Sequence, residues 1–525
     1  MRLTSDAELA KSLAARSEAV LFNGYDSEHV EPNLHEDVAE LLIGRRYQGQ
    51  FDANDGSYVA VRQVGKGVTT IDRDCYGAIP LFYSLKRPLV STDVRLLLDI
   101  ENPGFDFQSV AEYLSAAYVT GGRTIYQNIR FLMPNETISV KDGILTVEKK
   151  AIFPAQVFRT EQEASDLLEQ AINRSVESLL SRERGPIQLN LSGGADSTLL
   201  LAKVREMEPD KTVSTTTYFH DDWRDDLDDW RYAEQASQQF ETRHQLVKIT
   251  NETFCDAHKE LLKAGRNVFH TYAAAFYAQN KPVSPAGDVP IINGSGPDES
   301  IIGTEKIPVK DLLALRSLER ERWVDYLIAN IDYIKISEVS ANAMLLTARN
   351  GFVGARRAIA AELMDSENFV EFQRRYHALT VLQDHLQELN AVAQVLGRRI
   401  AFPFLTNDIF RIIFSTSFET LNAGGVYKSV VKNILKKVMP EDFVHRKKIG
   451  FQSPSRPYFM SKVGLGRELS RLLSTRNSAL LNMKLIAPAI QTRLNAELDL
   501  HRRYDFLEWT AYNILCLEES RGARG

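Results

Sequence analysis

Cysteine is scarce. The chain of 525 residues holds three, Cys75, Cys255 and Cys516. They lie far apart in no metal-ligand spacing, which speaks against a disulfide scaffold and a cysteine metal centre. No apolar run approaches the ~20 residues of a membrane span. The opening residues, MRLTSDAELAKSLAARSE, carry no apolar stretch, so no signal peptide is read there. There is no basic surplus either: 63 Lys and Arg stand against 69 Asp and Glu, for a net charge of −6. A general nucleic-acid binder would show the opposite balance. The expectation is a cytoplasmic, reduced protein with neither nucleic acid nor membrane as partner. Internal repeats, low-complexity tracts and a GxxxxGK[ST] phosphate loop are also missing. What remains is ordinary globular composition, 44% apolar and 25% charged, at a length that predicts two domains.

The first ~150 residues read as β-rich. GQFDANDGSYVAV, GVTTIDRD and IPLFYSL are short alternating runs broken by Gly, Asn and Asp. NETISVKDGILTVEKK predicts a hairpin turning at Asp142-Gly143. The pattern changes near Phe153-Pro154. TEQEASDLLEQAINRSVESLL then places Ala164, Leu167, Leu168, Ala171, Ile172, Val176, Leu179 and Leu180 on one helical face. Beyond it, PIQLNLS, TVSTTTYF and VPIING read as buried strands separated by helices, which predicts a parallel sheet with helical crossovers. The last ~200 residues are mostly helical in pattern.

LNLSGGADSTLLL, Leu189 to Leu201, puts two glycines, an aspartate and a serine between an apolar strand and an apolar helix. Gly193 and Gly194 allow a tight turn and close approach of a ligand to the backbone. The first amides of the following helix have no partners within it and carry partial positive charge. Such a loop at the carboxyl end of a parallel strand suits a phosphate. Asp196 adds a carboxylate where magnesium bridges to phosphate oxygens. The alternative is a tight turn in which Ser or Asp merely caps the helix.

Ser192-Gly193-Gly194-Ala195-Asp196-Ser197 resembles the SGGxDS pyrophosphatase loop of the asparagine synthetase family. Those enzymes cleave ATP between its α and β phosphates, join AMP to a carboxylate, and let an amine attack the acyl-adenylate. Asn293-Gly294-Ser295-Gly296-Pro297-Asp298-Glu299, followed by Gly303, resembles the family's G-x-G-x-D-E motif. FPFL at 402–405 resembles its R-x-PFLD segment but departs from it at Ala401 and Thr406. Lys428 and then HRKKIGF at 445–451 resemble its K…R-x-K-x-x-F stretch, with Arg446, Lys448 and Phe451 in register. The resemblance implies ATP and magnesium as cofactors. Leu191, Ser192, Gly193, Gly194, Asp196, Ser197 and Gly296 would line the nucleotide site, and Asp196 and Asp298 would share the metal. Lys448 would stabilise charge on the reacting phosphate and on the later oxyanion; Lys447 is read as surface.

The N-terminal part fits the same resemblance. DRDCYGAIPLFYS at 72–84 resembles DRxGxxPLYY, and residues 111–140 resemble the segment that closes the family's glutaminase domain. The implied fold is α/β overall. Residues 1–155 would form an Ntn-hydrolase-like antiparallel β sandwich with helices. Residues 156–525 would form an ATP-pyrophosphatase (PP-loop) α/β domain with a parallel sheet and a helical C-terminal part. The family's glutaminase uses a cysteine directly after the initiator methionine. Here that residue is Arg2, and the first cysteine is Cys75. A glutaminase-like fold without glutaminase activity is expected.

An amine must then come from the substrate or from solution. β-Lactam and carbapenam synthetases, which close small rings, resemble this chain in length, domain order and lack of that cysteine. So do lasso peptide cyclases, which join a peptide's N-terminus to an acidic side chain. Between the two motif glycines asparagine synthetases carry Glu and β-lactam synthetases carry Tyr; this chain has Ser295, too weak a base alone. Glu388 falls on the glutamate that the β-lactam synthetases pair with their Tyr, and is the expected base. Ser295 marks a roomier acceptor site in which a peptide fits. HDDWRDDLDDW, His220 to Trp230, is either a solvated acidic loop or a holder of a cationic substrate group. His270 begins a helix that lines the cleft in relatives. The reading is an AMP-forming amide ligase, with peptide or small-molecule ring closure ahead of an intermolecular or ammonia-using ligase. A partner biosynthetic protein and a homodimer fit it. A non-catalytic scaffold is the contrasting class, and the intact acids argue against it.

Overall fold

The computed structural model describes residues 2–4, 20–22, 30–35, 38–51, 54–64, 67–221, 229–283, 289–303, 307–331, 338–346, 354–446, 456–475, 477–495 and 506–522. It is a mixed α/β structure built on three sheets. Strands in two of them all precede residue 150, and strands of the third all follow residue 186.

The first sheet has six strands in the order Ile144–Lys149, Glu136–Lys141, Val68–Arg73, Asp55–Val64, Val38–Tyr47 and Val30–His35. Every neighbour is antiparallel. The expected hairpin is present: Lys141 pairs with Ile144, and Asp142 and Gly143 both take positive φ, 50° and 77°. A two-residue turn matching strand twist needs that conformation, and Asp-Gly supplies it.

The second sheet has five short strands, Arg2–Thr4, Val20–Phe22, Leu89–Ser91, Phe82–Ser84 and Ile129–Phe131. It corrects the all-antiparallel expectation. The first three strands run parallel to one another; only the last two pairings are antiparallel. Each strand is three residues long, too short for side-chain alternation to betray direction. The two sheets share a core, in which Ile43, Val59, Ile71 and Ile138 of the first meet Tyr83 and Val90 of the second.

The third sheet is parallel throughout, in the order Arg243–Ile249, Val213–His220, Ile187–Asn190, Ile291–Ile292, Ile400–Ala401. From the central strand Ile187–Asn190 the chain builds outward on one side and then returns to build on the other. The crevice at the carboxyl ends of Ile187–Asn190 and Ile291–Ile292 is therefore a switch point, the usual ligand position in such sheets. The predicted helix before the central strand spans Glu161–Arg182. It opens with a Thr160–Glu163 capping box and buries Ala164, Leu168, Ala171, Ile172, Val176, Leu179 and Leu180.

Polar contacts seat the N-terminal sheets on the rest. The Asn407 side chain accepts from Cys75 N–H at 2.7 Å and donates to the Asn54 carbonyl at 2.7 Å. Asp408 accepts from Phe51 N–H at 3.0 Å, and its own amide donates to Asp55 at 2.9 Å. Thr406, at one departure from the family pattern, caps this helix, Asn407–Ser415, by accepting from Ile409 N–H. The hydrophobic core is continuous across residue 155. Helix Phe107–Ala116 packs with the C-terminal helix Phe506–Gly522, and Trp509 and Tyr113 both donate to the Phe269 carbonyl. Among the described residues no helix is long and apolar enough to cross a membrane.

Candidate active site

The loop Leu191–Gly194 leaves the central strand and enters the helix Ala195–Met207. Leu191 is fixed in the sheet, donating to the Thr216 carbonyl at 2.9 Å. Gly193 has φ +70°, and a Cβ there would lie 2.6 Å from Ala233 N and from Asp229 O. Only glycine fits this turn. Gly194 holds the N-cap position, and no side chain caps the helix. Ser192 N–H donates to Ser197 Oγ at 3.2 Å, and the two hydroxyls lie 3.1 Å apart. The serines thus tie the loop's two ends together, and the capping alternative does not describe it.

The second motif follows the neighbouring strand. Gly294 packs against Ser197, where a Cβ would meet the backbone nitrogen at 3.2 Å. Gly296 has φ +123° and abuts Leu405 of the FPFL segment. Ser295 turns back on its own loop: its amide and hydroxyl donate to Asn293 Oδ1 at 2.9 and 2.6 Å. Asp298 and Glu299 open a π-helical turn, Asp298–Ile302. Arg374, fully buried, donates to the Ser300 carbonyl at 3.0 Å, and Gln373 donates to Ile302 at 2.7 Å, which fixes that turn.

The two motifs converge on one cation. Lys428 Nζ lies 2.5 Å from Asp196 Oδ2 and also bonds Asp298 Oδ1. Lys428 is only 5% exposed and sits at positive φ, 52°, just before the helix Ser429–Leu435. The donor set suits magnesium: two carboxylate oxygens on the helical turns that follow adjacent strands, near enough to share one cation, beside a phosphate-type loop. Among the described residues no group of three or more His, Cys, Asp or Glu gathers as a metal site. Two carboxylates plus substrate phosphates is the common arrangement for this ion.

Arg446 holds the loop from outside. It donates to the Gly193 carbonyl at 2.7 Å, pairs with Asp229, and lies 4.1 Å over the Tyr232 ring. Lys432, one turn after Lys428, has its pKa lowered by burial and by Lys428. Lys447, Lys448 and Phe451 lie outside the described residues, as do residues 222–228 of the acidic loop. Of that loop's ends, Asp221 accepts from Tyr458 at 2.9 Å and Asp229 is paired with Arg446.

A cleft opens between these elements. It is lined by Leu191, Ser192, Asp196, Ser197, Ser295, Gly296 and Asp298, which brings most of the expected nucleotide residues together. Its other wall is aromatic, from Tyr218, Trp230, Tyr272 and Phe276. The helix Thr271–Asn280 lines the cleft as expected, but through Tyr272, Phe276 and Gln279. His270 lies behind; burial, and then His385, pushes its pKa down to about 3.

Glu388 is placed otherwise than expected. It is 5% exposed and is absent from the cleft wall, where its neighbour Leu389 stands. It accepts from His270 N–H at 2.7 Å and adjoins Tyr272. Burial, then Asp384, raises its pKa well above the carboxylate range. In the wall instead is His385, whose Nδ1 lies 2.7 Å from Glu299 Oε1. Burial opposes ionisation of Glu299, but the hydrogen bond and charge of His385 outweigh it and lower its pKa. Burial likewise opposes charge on His385, but Glu299, Asp384 and Asp298 raise its pKa.

Sequence reasoning passed over Lys428 as a site residue although it stood in the quoted match. Asp229 stood only within the quoted acidic loop, Tyr272 only within the cleft-lining helix and Glu299 only within the second motif; His385 and its contact with Glu299 were missed altogether. A glycine-rich loop, paired acids and a buried lysine thus meet at the switch point of a parallel sheet, the usual ligand position in such folds. The family model for asparagine synthase matches residues 167–514, well over half of the chain. The chain belongs to the asparagine synthase family, whose members are ATP-dependent, amide-forming carbon–nitrogen ligases. A search of curated proteins finds no match.

Proposed function

We propose that this ligase joins a substrate carboxylate to AMP, releases pyrophosphate, and closes an amide with an amine of the same molecule. The observation that carries the adenylation step is the shared cation: Lys428 bridges Asp196 and Asp298 directly beside the Ser192–Ser197 loop. The loop amides and the Ser192 and Ser197 hydroxyls would hold the pyrophosphate portion of ATP. Magnesium, held by Asp196 and Asp298, would neutralise phosphate charge there. Lys428, released from the two acids, would turn to the phosphates, with Lys448 beside the reacting centre. Arg446 keeps Gly193 in place from the far side. Glu388 would act from behind the wall, positioning His270 and Tyr272.

Support for loss of glutaminase chemistry comes from Cys75. It is the one cysteine before residue 155, and its amide is committed to Asn407 in the middle of the chain. Support for a large acceptor, a peptide ahead of a small β-lactam precursor, comes from the aromatic wall and from Ser295, which is small and folded back on Asn293.

The test is a pyrophosphate-release screen of the full-length chain with ATP and magnesium. The carboxylates are peptides with a free N-terminus and an Asp or Glu side chain, β-amino acids, and aspartate with ammonia. The reading expects release with a peptide or β-amino acid, a product one water lighter than that substrate, and loss of both in Asp196→Asn. A product combining two molecules would overturn ring closure.

A further inference from the structure

We propose that His385, oriented by Glu299, takes the proton from the attacking amine. This rests on the ligase reading above and names the group that the serine between the motif glycines leaves unassigned.

Among the described residues the cleft wall narrows the choice. Asp196 and Asp298 face Lys428, and Asp229 faces Arg446. Each is committed to a cation. Ser295 is bonded to Asn293 and is a weak base. Glu388 lies behind the wall. His385 and Glu299 both line the cleft, and their 2.7 Å contact joins two elements that the chain separates by 86 residues. Glu299 comes from the turn that presents Asp298, so the pair stands on the same stretch of cleft wall as that acid. His385 comes from the helix Val381–Val395. The Tyr272 ring stands edge-on to the imidazole at 4.3 Å and fixes its plane. The other ionisable groups around it are Asp384 and Glu388 on its own helix, Asp298 on the opposing turn, and His270 and Tyr272 on the third side.

The chemistry balances. With Nδ1 bonded to Glu299, Nε2 is the imidazole's other nitrogen and the proton acceptor of this proposal. The amine nitrogen forms its bond to the acyl carbon. The bond from that carbon to the phosphate oxygen breaks, and AMP leaves with the electron pair. The proton from nitrogen passes to Nε2, and Glu299 balances the imidazolium. Glu299 is a positioning residue here.

The experiment compares two nucleophiles on full-length protein, using the carboxylate that releases pyrophosphate in the screen above. One is the substrate's own amine. The other is hydroxylamine, which enters unprotonated at neutral pH and whose more acidic adduct loses its proton to water. In His385→Gln the amide-forming rate is expected to fall about 10²–10⁴-fold. Hydroxamate formation and pyrophosphate exchange should stay within a few-fold of wild type, and added imidazole should restore part of the amide rate in His385→Ala. Glu299→Gln should show the same split, more weakly, whereas a merely structural role would depress both nucleophiles together. An equal fall with amine and hydroxylamine, or an undiminished amide rate, overturns the assignment and leaves the ligase reading standing. If wild-type protein releases no pyrophosphate with any carboxylate, the ligase reading falls and this assignment falls with it.

Discussion

Lys428 Nζ stands 2.5 Å from Asp196 Oδ2 and bonds Asp298 on its other side, so one ammonium closes the gap between the two strand-end motifs. On the proposed reading, a magnesium ion bound with ATP would compete for the same oxygens. Lys428 keeps two nearby carboxylates from repelling one another, and on the proposed reading it would free a positive charge if the two acids held magnesium instead. Replacing it by methionine leaves the acids facing each other. The loss is about 3 kcal/mol, at the low end for a broken buried pair, because the Asp298 side chain is 24% exposed. Thermal denaturation of Lys428→Met without metal should show a lower melting temperature than wild type. Magnesium should then raise it more in the variant than in wild type, since metal binding adds stability by mass action. No magnesium-dependent shift in either protein would contradict the shared-cation account.

Gly193 is the tightest point of the loop. An alanine there needs positive φ and puts its Cβ 2.6 Å from two backbone atoms of the Asp229–Gln239 helix start. The strain is about 1–3 kcal/mol and falls on the residue that Arg446 holds. Gly193→Ala should therefore fold but lose pyrophosphate release by at least about 10²-fold. Retained turnover would show that the loop is not the phosphate cradle.

Arg374 carries the second motif mechanically. It is fully buried, lies 2.5 Å from Glu371, and donates to the carbonyls of Ser300 and Ile413 at 3.0 and 2.9 Å. Arg374→Met should cost about 3–5 kcal/mol, because Glu371 is left buried without its charge partner. The double variant Arg374→Met/Glu371→Leu should recover part of the melting temperature. A single variant as stable as wild type would refute this role.

Glu388 gives a pH dependence with a definite sign. Its folded-state pKa lies above its unfolded value, through burial and Asp384. The folded protein therefore binds the extra proton, and stability is greatest below the ordinary carboxylate value of about 4.3. It declines as pH rises through the raised value. Denaturation of Glu388→Gln across that range should show a flatter decline than wild type. Parallel curves would mean that Glu388 is not held neutral.

The sequence made some of this plain and hid the rest for physical reasons. The hairpin at Asp142-Gly143, the helix Glu161–Arg182 and the central strand were legible because turn chemistry and periodicity act locally. The edge strand Arg243–Ile249 was missed, since RHQLVKI is half exposed and mostly polar. The two-residue strand Ile400–Ala401 has no periodicity to read. At the site, the glycine-rich loops announced themselves because backbone geometry demands glycine there. The Glu299–His385 contact did not, because it exists only once the turn Asp298–Ile302 is laid against the helix Val381–Val395. Glu388 was favoured from the same helix, but only packing reveals that His385 faces the cleft while Glu388 is tucked under His270.

The central claim is that the paired acids and the loop serve cleavage of ATP between its α and β phosphates. Phosphorus NMR of the reaction of the full-length protein with ATP, magnesium and the screened carboxylate tests it most directly. The account predicts AMP and pyrophosphate in equal amounts, both abolished in Asp196→Asn and in Asp298→Asn. ADP and orthophosphate as the products, or unchanged turnover in either variant, would contradict it.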